Sequence, residues 1–241
     1  MAPREDRTRG PHPEDARIFG ERHLPRLREA VEELSWLLGR GYAEPSARKL
    51  VGDRHQLTQR QRLAVAQSSC GDGQLAARRA RRLQLPELAG RALRIDGFNC
   101  VITLEAALCG APLLVGRDGV HRDLARVRGS YHPVAVTERV ARMVGEALAG
   151  AGCRAVEWCF DRPVSNSGRL KRLLLDAAAD AGWPWTVELT DGTDRVVAEA
   201  PDVAASGDSW ILDRDVPWID LPAAVLDASG EPVWRVDLAP S

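Results

Sequence analysis

From Leu24 the apolar residues fall at Leu24, Leu27, Val31, Leu34, Trp36, Leu37 and Leu38, close to a helical period, until Gly39-Arg-Gly41 stops the run. This predicts one amphipathic helix. Pro45-Ser46 opens a second over residues 47–51, Gly52-Asp53 breaks it, and Thr58 is placed to cap a third through Leu63, Ala64 and Val65. A fourth helix is predicted around residues 75–83, before Pro86 and Gly90 punctuate the chain. Beyond that point short apolar runs alternate with helical stretches. Residues 92–95, 113–115, 155–160, 185–189, 202–205 and 218–221 read as strands, and residues 100–108, 140–149 and 170–181 as helices. Residues 225–238 suggest a closing hairpin through Ser229-Gly230. The alternation predicts βαβ units. The fold class expected is therefore α/β, a mainly parallel central sheet flanked by helices and preceded by a small all-helical domain. The boundary falls near residue 90, giving domains 1–90 and 91–241, with the Pro-, Arg- and Asp-rich stretch 1–15 frayed.

Composition adds limits rather than an identity. The chain has 241 residues, 44% of them hydrophobic, enough for a substantial core. Net charge is −1, so no global field draws it to nucleic acid or membrane. The halves differ, however: residues 1–92 carry net +6 and the remainder net −7. Five cysteines with no CxxC pair suggest neither a disulfide framework nor a zinc knuckle. The opening residues lack an apolar signal core and no apolar run is long enough to span a bilayer, so a cytoplasmic protein with no membrane partner is expected.

In an open parallel sheet, chemistry collects beyond the carboxyl ends of the strands. Those positions are acidic here: Asp96 follows the first run, Asp118 the second, Asp161 the third, and Asp208 the run near residue 205. Each alone is also a good loop residue or helix N-cap. Together, converging carboxylates repel one another unless a cation lies between them, and oxygen donors suit Mg²⁺ or Mn²⁺. In Asp96-Gly-Phe-Asn99, Gly97 offers unusual backbone freedom, and Asp96 and Asn99 are expected to point into one pocket, Asn99 alternatively serving only as a cap.

Ile95-Asp-Gly-Phe-Asn-Cys-Val-Ile102, Phe160-Asp-Arg-Pro-Val-Ser-Asn-Ser-Gly168 and Ala205-Ser-Gly-Asp-Ser-Trp-Ile-Leu-Asp213 resemble the acidic motifs of PIN-like, NYN-type nuclease domains, over about residues 93–222. The whole chain also resembles a prokaryotic family that sets a basic helical domain before such a domain. The resemblance implies Asp96, Asp161 and Asp208 as metal ligands, with Asn99 hydrogen-bonding one of them. Asp118 is favoured over Asp123 for a further acidic position. It also implies RNA as substrate, single-stranded or structured, and a homodimer. The sequence departs from the pattern at Gly207, where a Ser or Thr is expected, and over residues 110–133.

Two further groups fit that reading. Ser165 and Ser167 open the helix after Asp161, where free amides and hydroxyls can cradle a phosphate, with Arg169, Lys171 and Arg172 adding positive charge; simple N-capping by either serine explains them equally. Residues 48–82 hold nine basic and two acidic residues, and Arg48, Arg54, Arg60, Arg62, Arg78, Arg79, Arg81 and Arg82 are candidates to grip a nucleic-acid backbone, against the alternative that they pair with Glu29, Glu32, Glu33 or the acidic half. No Gly-Lys pair exists, which excludes a Walker loop, and no GxSxG elbow is present. Among the histidines, His121 stands out for its closeness to Asp118 and Asp123. The expected function is a metal-dependent endoribonuclease, with an inactive nucleic-acid-binding relative and a small-ester phosphohydrolase as rivals.

Overall fold

A computed structural model describes residues 9–125 and 131–240. Of the stretch 1–15 expected to fray, residues 1–8 lie outside that range and the rest is held in place: Arg9 donates to the fully buried Glu105, the His12 amide donates to Asp15, and Asp15 is buried where α1 begins. Five helices open the chain: α1 (Asp15–Ile18), α2 (Leu24–Gly39), α3 (Glu44–Arg54), α4 (Gln59–Ser68) and α5 (Asp72–Arg81). Thr58 caps α4, accepting from the Gln61 amide while the Gln61 side chain accepts from the Thr58 amide.

The second part alternates β1 (Ala92–Asp96), α6 (Gly97–Leu108), β2 (Leu113–Val115), β3 (His121–Arg122), α7 (Thr137–Gly150), β4 (Ala155–Asp161), α8 (Ser167–Ala181), β5 (Trp185–Thr190), α9 (Thr193–Ala198), β6 (Val203–Ala205), α10 (Ser209–Leu212), β7 (Trp218–Ile219), α11 (Leu221–Ser229) and β8 (Arg235–Asp237). Five of the strands form one parallel sheet in the order β5-β4-β1-β6-β7. The chain therefore winds outward from β1 in both directions, and the crevice between β1 and β6 is the topological switch point. Helices α6, α7, α8 and α11 share one core with Leu93, Ile95, Trp158 and Phe160, while α9 and α10 cover Cys159, Ala204 and Trp218 on the other face.

Three expectations are corrected. The run at residues 113–115 does not join the main sheet: β2 pairs antiparallel with β3 and parallel with β8 in a separate three-stranded sheet. Residues 225–238 form no hairpin. Asp220 caps α11 by accepting from the Ala223 amide, Pro222 sits in its first turn, and Gly230 at φ +67° ends it, so Ser229-Gly230 is a helix stop rather than a strand turn. Nor does Gly97 supply backbone freedom. It begins α6 with φ in the ordinary negative range, and its role is space, since a Cβ there would lie 2.3 Å from the Phe160 ring.

The helical segment does not close its own core. Leu27, Val31, Leu34, Val51 and Val65 pack in one cluster with Leu114, Leu124, Val236 and Leu238 from the small sheet and its flanks.

Candidate functional site

β1 ends on Asp96, which is also the N-cap of α6: its Oδ1 accepts from the Asn99 amide at 3.4 Å. Directly after the neighbouring β6, Ser206 donates its hydroxyl to Asp96 Oδ2 (2.8 Å) and accepts from the Asp208 amide (3.0 Å). Asn99 Oδ1 accepts from the Gly207 amide (2.7 Å), and Asp208 caps α10 by accepting from the Trp210 amide (2.7 Å). The Asn99 side chain therefore braces the backbone of the β6–α10 loop, only its backbone amide reaching the Asp96 carboxylate, and Asp96, not Asn99, is the cap. Ser206 supplies the hydroxyl sought at Gly207. It does so two residues ahead of Asp208, because the chain turns there and brings its side chain under both acids.

Asp161 ends β4, the other neighbour of β1, and Asp208 follows β6. A fourth acid, Asp194, stands in the first turn of α9 after β5. Burial drives the Asp96 carboxyl up to about 7; the Ser206 hydroxyl opposes that, and the negative charges of Asp194 and Asp208 reinforce it. Asp194 is raised too, by partial burial of its carboxyl group and then by Asp208 and Asp161, although the residue as a whole is exposed. Among the described residues no cation lies within ion-pair distance of Asp96, Asp161, Asp194 or Asp208, while most other acids of this chain have one. Asp194 is not among the acids expected from the sequence, although Asp191-Gly-Thr-Asp194 stands directly after the β5 run, where the strand-end rule also points.

The structure separates Asp118 from this group. It lies in the turn between β2 and β3, 4% exposed, held by Arg78 (2.6 Å) and by both terminal nitrogens of Arg122 (2.9 and 2.8 Å). Burial opposes its ionisation, but the two guanidiniums override that and hold the carboxyl down to about 2. Both of its oxygens are spoken for. Asp123 accepts from the Thr103 hydroxyl (2.7 Å) and the Ala125 amide (2.7 Å). His121 turns away from both acids, pairing through Nδ1 with Asp220 (3.0 Å) and accepting from Arg235 at Nε2.

The phosphate-binding candidates are mixed. Ser167 is buried and Ser165 exposed, and neither caps α8; its N-cap is Asn166, at φ +65° with no side-chain cap bond, its amide group donating instead to the Tyr131 carbonyl. Arg169 lies in the first turn of α8 and Lys171 just beyond it, and Arg169 and Arg172 face a groove shared with α7.

Most of the helical arginines are engaged within the protein. Arg48 pairs with Glu44 (3.3 Å), Arg54 with Glu33 (3.0 Å), Arg60 with Asp15 (2.5 Å) and Arg62 with Asp53 (2.8 Å). Arg81 donates to the Leu212 carbonyl, Arg82 lies over Trp218, and Arg78 is 1% exposed. Arg78 is thus an internal strut and not a backbone contact. Arg79 alone of the eight has no side-chain partner among the described residues. One other cluster has metal-ligand types: Glu29, Glu33 and His55 bring ligand atoms within 4.8 Å of one another, but Arg54 and His55 already hold both Glu33 oxygens. Among the described residues no three acids of the crevice lie that close.

The fold and the crevice together define a doubly wound α/β protein with an acidic switch point. Residues 85–224, more than half of the chain, match the family described as "Domain of unknown function (DUF5616)", and the chain belongs to that family. Residues 26–81 match a second model, "Protein of unknown function (DUF434)". The chain is 27% identical over 146 residues to "Uncharacterized protein MJ0935" of Methanocaldococcus jannaschii, covering 61% of this chain and 70% of that protein. No solved structure matches the chain. No helix among the described residues is long and apolar enough to cross a membrane.

Proposed function

We propose that the protein is a divalent-metal-dependent phosphodiesterase of PIN-like type that hydrolyses RNA. The observation that carries this reading is the set of four carboxylates, Asp96, Asp161, Asp194 and Asp208, at the carboxyl end of the sheet, with no compensating cation among the described residues and with two of them raised by burial first and by neighbouring acids second. The donor chemistry fits Mg²⁺ or Mn²⁺: every side-chain donor is oxygen, and the acids stand too far apart for three to clasp one ion directly, which suits an ion that keeps part of its water. When bound, such an ion lowers the pKa of a water and offsets charge on the phosphoryl oxygens.

The chain's own residues do the rest. Ser206 orients Asp96 by donating to Oδ2, and the same hydroxyl fixes the Asp208 amide, so the acid ending β1 and the acid following β6 keep one geometry. Asp96 carries a proton in part of the metal-free population near neutral pH and releases it when a cation arrives. The start of α8, which no side chain caps, carries the charges of Arg169 and Lys171, which suit a phosphate.

The test is a panel of labelled single-stranded, duplex and structured RNAs with Mg²⁺, Mn²⁺ or EDTA, alongside Asp96→Asn and Asp208→Asn. Cleavage that needs the metal and falls at least a hundredfold in both variants supports the proposal; cleavage equal in the variants, or none of any RNA, overturns it. One observation favours a second reading, hydrolysis of a small phosphate ester: the arginines expected to grip a polymer are mostly paired internally. Turnover of a chromogenic phosphate ester, with no RNA cleaved, selects that alternative.

A further inference from the structure

Arg78 and Arg122 come from opposite parts of the chain and close on one buried carboxylate. Arg78 lies on α5 of the helical segment, 1% exposed, and Arg122 on β3, 7% exposed. Arg78 donates to Asp118 Oδ2 (2.6 Å) from one terminal nitrogen and to Asp213 (2.7 Å) from Nε, and its second terminal nitrogen reaches the Ser209 carbonyl (3.3 Å). Arg122 grips Asp118 with two nitrogens and gives its Nε to the Gly207 carbonyl (2.8 Å). The two guanidiniums therefore hold carbonyls on either side of Asp208, at Gly207 and Ser209. Asp118 is what they both stand on.

The turn that presents Asp118 is itself fastened to the helices. The Arg117 amide donates to the Ser68 carbonyl (2.9 Å), and its side chain donates to the Cys70 carbonyl (2.8 Å) and Asp72 (2.6 Å). Gly119 adopts φ +73°, which closes the turn, and a Cβ on Gly116 would meet both Arg122 and Asp118 at 2.9 Å. Trp218 on β7 donates its indole N–H to the Arg78 carbonyl (2.9 Å), fixing α5 against the sheet edge.

We infer that Asp118 is a positioning residue: through the Arg78–Asp118–Arg122 cluster the helical segment fixes the loop that carries Asp208, so that the segment is a working part of the acidic crevice and not a separable module. A planar guanidinium can grip both oxygens of a carboxylate while its Nε reaches a carbonyl on another side, a fixed geometry that the compact ammonium of lysine does not reproduce. The effect on turnover rests on the proposed hydrolytic reading; the effect on loop order does not.

The experiment uses the full chain and three variants. Asp118→Asn keeps the shape and removes the charge, Arg122→Lys keeps the charge and removes the fork, and Asp15→Asn breaks another Asp–Arg pair, with a fully buried Asp and a partly exposed Arg60, that does not touch the loop. Amide hydrogen exchange is read at Gly207, Asp208 and Trp210, and RNA cleavage is measured as kcat and as the Mn²⁺ concentration for half-maximal rate. Asp118→Asn and Arg122→Lys are expected to speed exchange at those amides at least tenfold, with α2 amides unchanged, and to lower kcat or raise the Mn²⁺ requirement at least tenfold. Asp15→Asn is expected to do neither, even where it lowers the melting temperature as much. Wild-type exchange at the three amides in a folded Asp118→Asn or Arg122→Lys protein overturns the inference, as does an equal response in Asp15→Asn. If Asp118→Asn does not fold, Arg122→Lys decides. A wild type that cleaves no RNA defeats the hydrolytic reading, while the exchange measurement still judges the cluster.

Discussion

Asp96 is the last residue of a strand, the cap of a helix and the most buried acid of the crevice, and these roles pull its proton in opposite directions. Its carboxyl sits near 7 in the folded chain against an ordinary value of about 3.9. The folded state therefore holds the proton more tightly than the unfolded one. The stability this lends is full below about pH 4 and is lost as the pH rises through about 7, a swing on the order of 2–4 kcal/mol. Asp96→Asn keeps the shape without the charge, so in EDTA it is expected to melt higher than wild type at pH 8 and to lose that advantage at pH 5. Added Mn²⁺ is expected to raise the melting temperature of wild type at pH 8 and not that of the variant. Thermal melts at the two pH values, with and without metal, check both; a wild type whose stability rises from pH 5 to pH 8 in EDTA contradicts the assignment. At this scale much was legible. Asp96, Asp161 and Asp208 follow from the strand-end rule alone. Asp118 obeyed the same rule and belongs elsewhere, because the rule presumes that every apolar run joins one sheet, and which run joins which sheet is decided by pairings distant in sequence.

Among the elements, the junction of β1 and α6 shows what the motif Asp96-Gly-Phe-Asn99 is for. The Phe160 ring from β4 lies against the Gly97 backbone and stacks edge-on to Phe98, with ring centroids 4.9 Å apart. Gly97→Ala places a methyl 2.3 Å from that ring, and a packed core does not absorb it without moving an aromatic side chain. The expected cost is about 1–3 kcal/mol, read as a lower denaturation midpoint at unchanged slope. A compensating Phe160→Leu exchange is expected to recover part of it. If Gly97→Ala unfolds like wild type, the glycine is there for another reason. Helices with a clear apolar face, α2, α7 and α8, and strands whose apolar residues are clustered or alternate, β1, β4 and β5, are readable because local periodicity reports burial directly. The C-terminal segment was not. Its Asp-Leu-Pro opening and Gly stop are helix signals, yet they frame a run as apolar as a strand, and β8 finds its partner, β2, more than a hundred residues away.

For the molecule as a whole, the boundary that composition draws near residue 90 is not a boundary of the core. Leu114, Leu124, Val236 and Leu238 bury themselves against Leu27, Val31 and Leu34 of the helical segment, and none is more than 4% exposed. Removing residues 1–84 uncovers all four, at about 1.5–3 kcal/mol for each large apolar side chain returned to water. It also takes Arg78 from Asp118, leaving a buried carboxylate with one of its two counter-charges, a change that costs several kcal/mol in comparable sites. The sum approaches or exceeds the 5–15 kcal/mol that stabilises an ordinary domain. A chain of residues 85–241 is therefore expected to aggregate or to melt without a cooperative transition. Supplying the helical segment in the same cell as a separate chain is expected to recover soluble protein, since the contacts it makes do not depend on the peptide link at residue 84. Circular dichroism melts and gel filtration of the two preparations distinguish the outcomes. A sharp, near-native transition in the shortened chain alone means that the small sheet tolerates exposure, and that the helices ornament the α/β part instead of completing it.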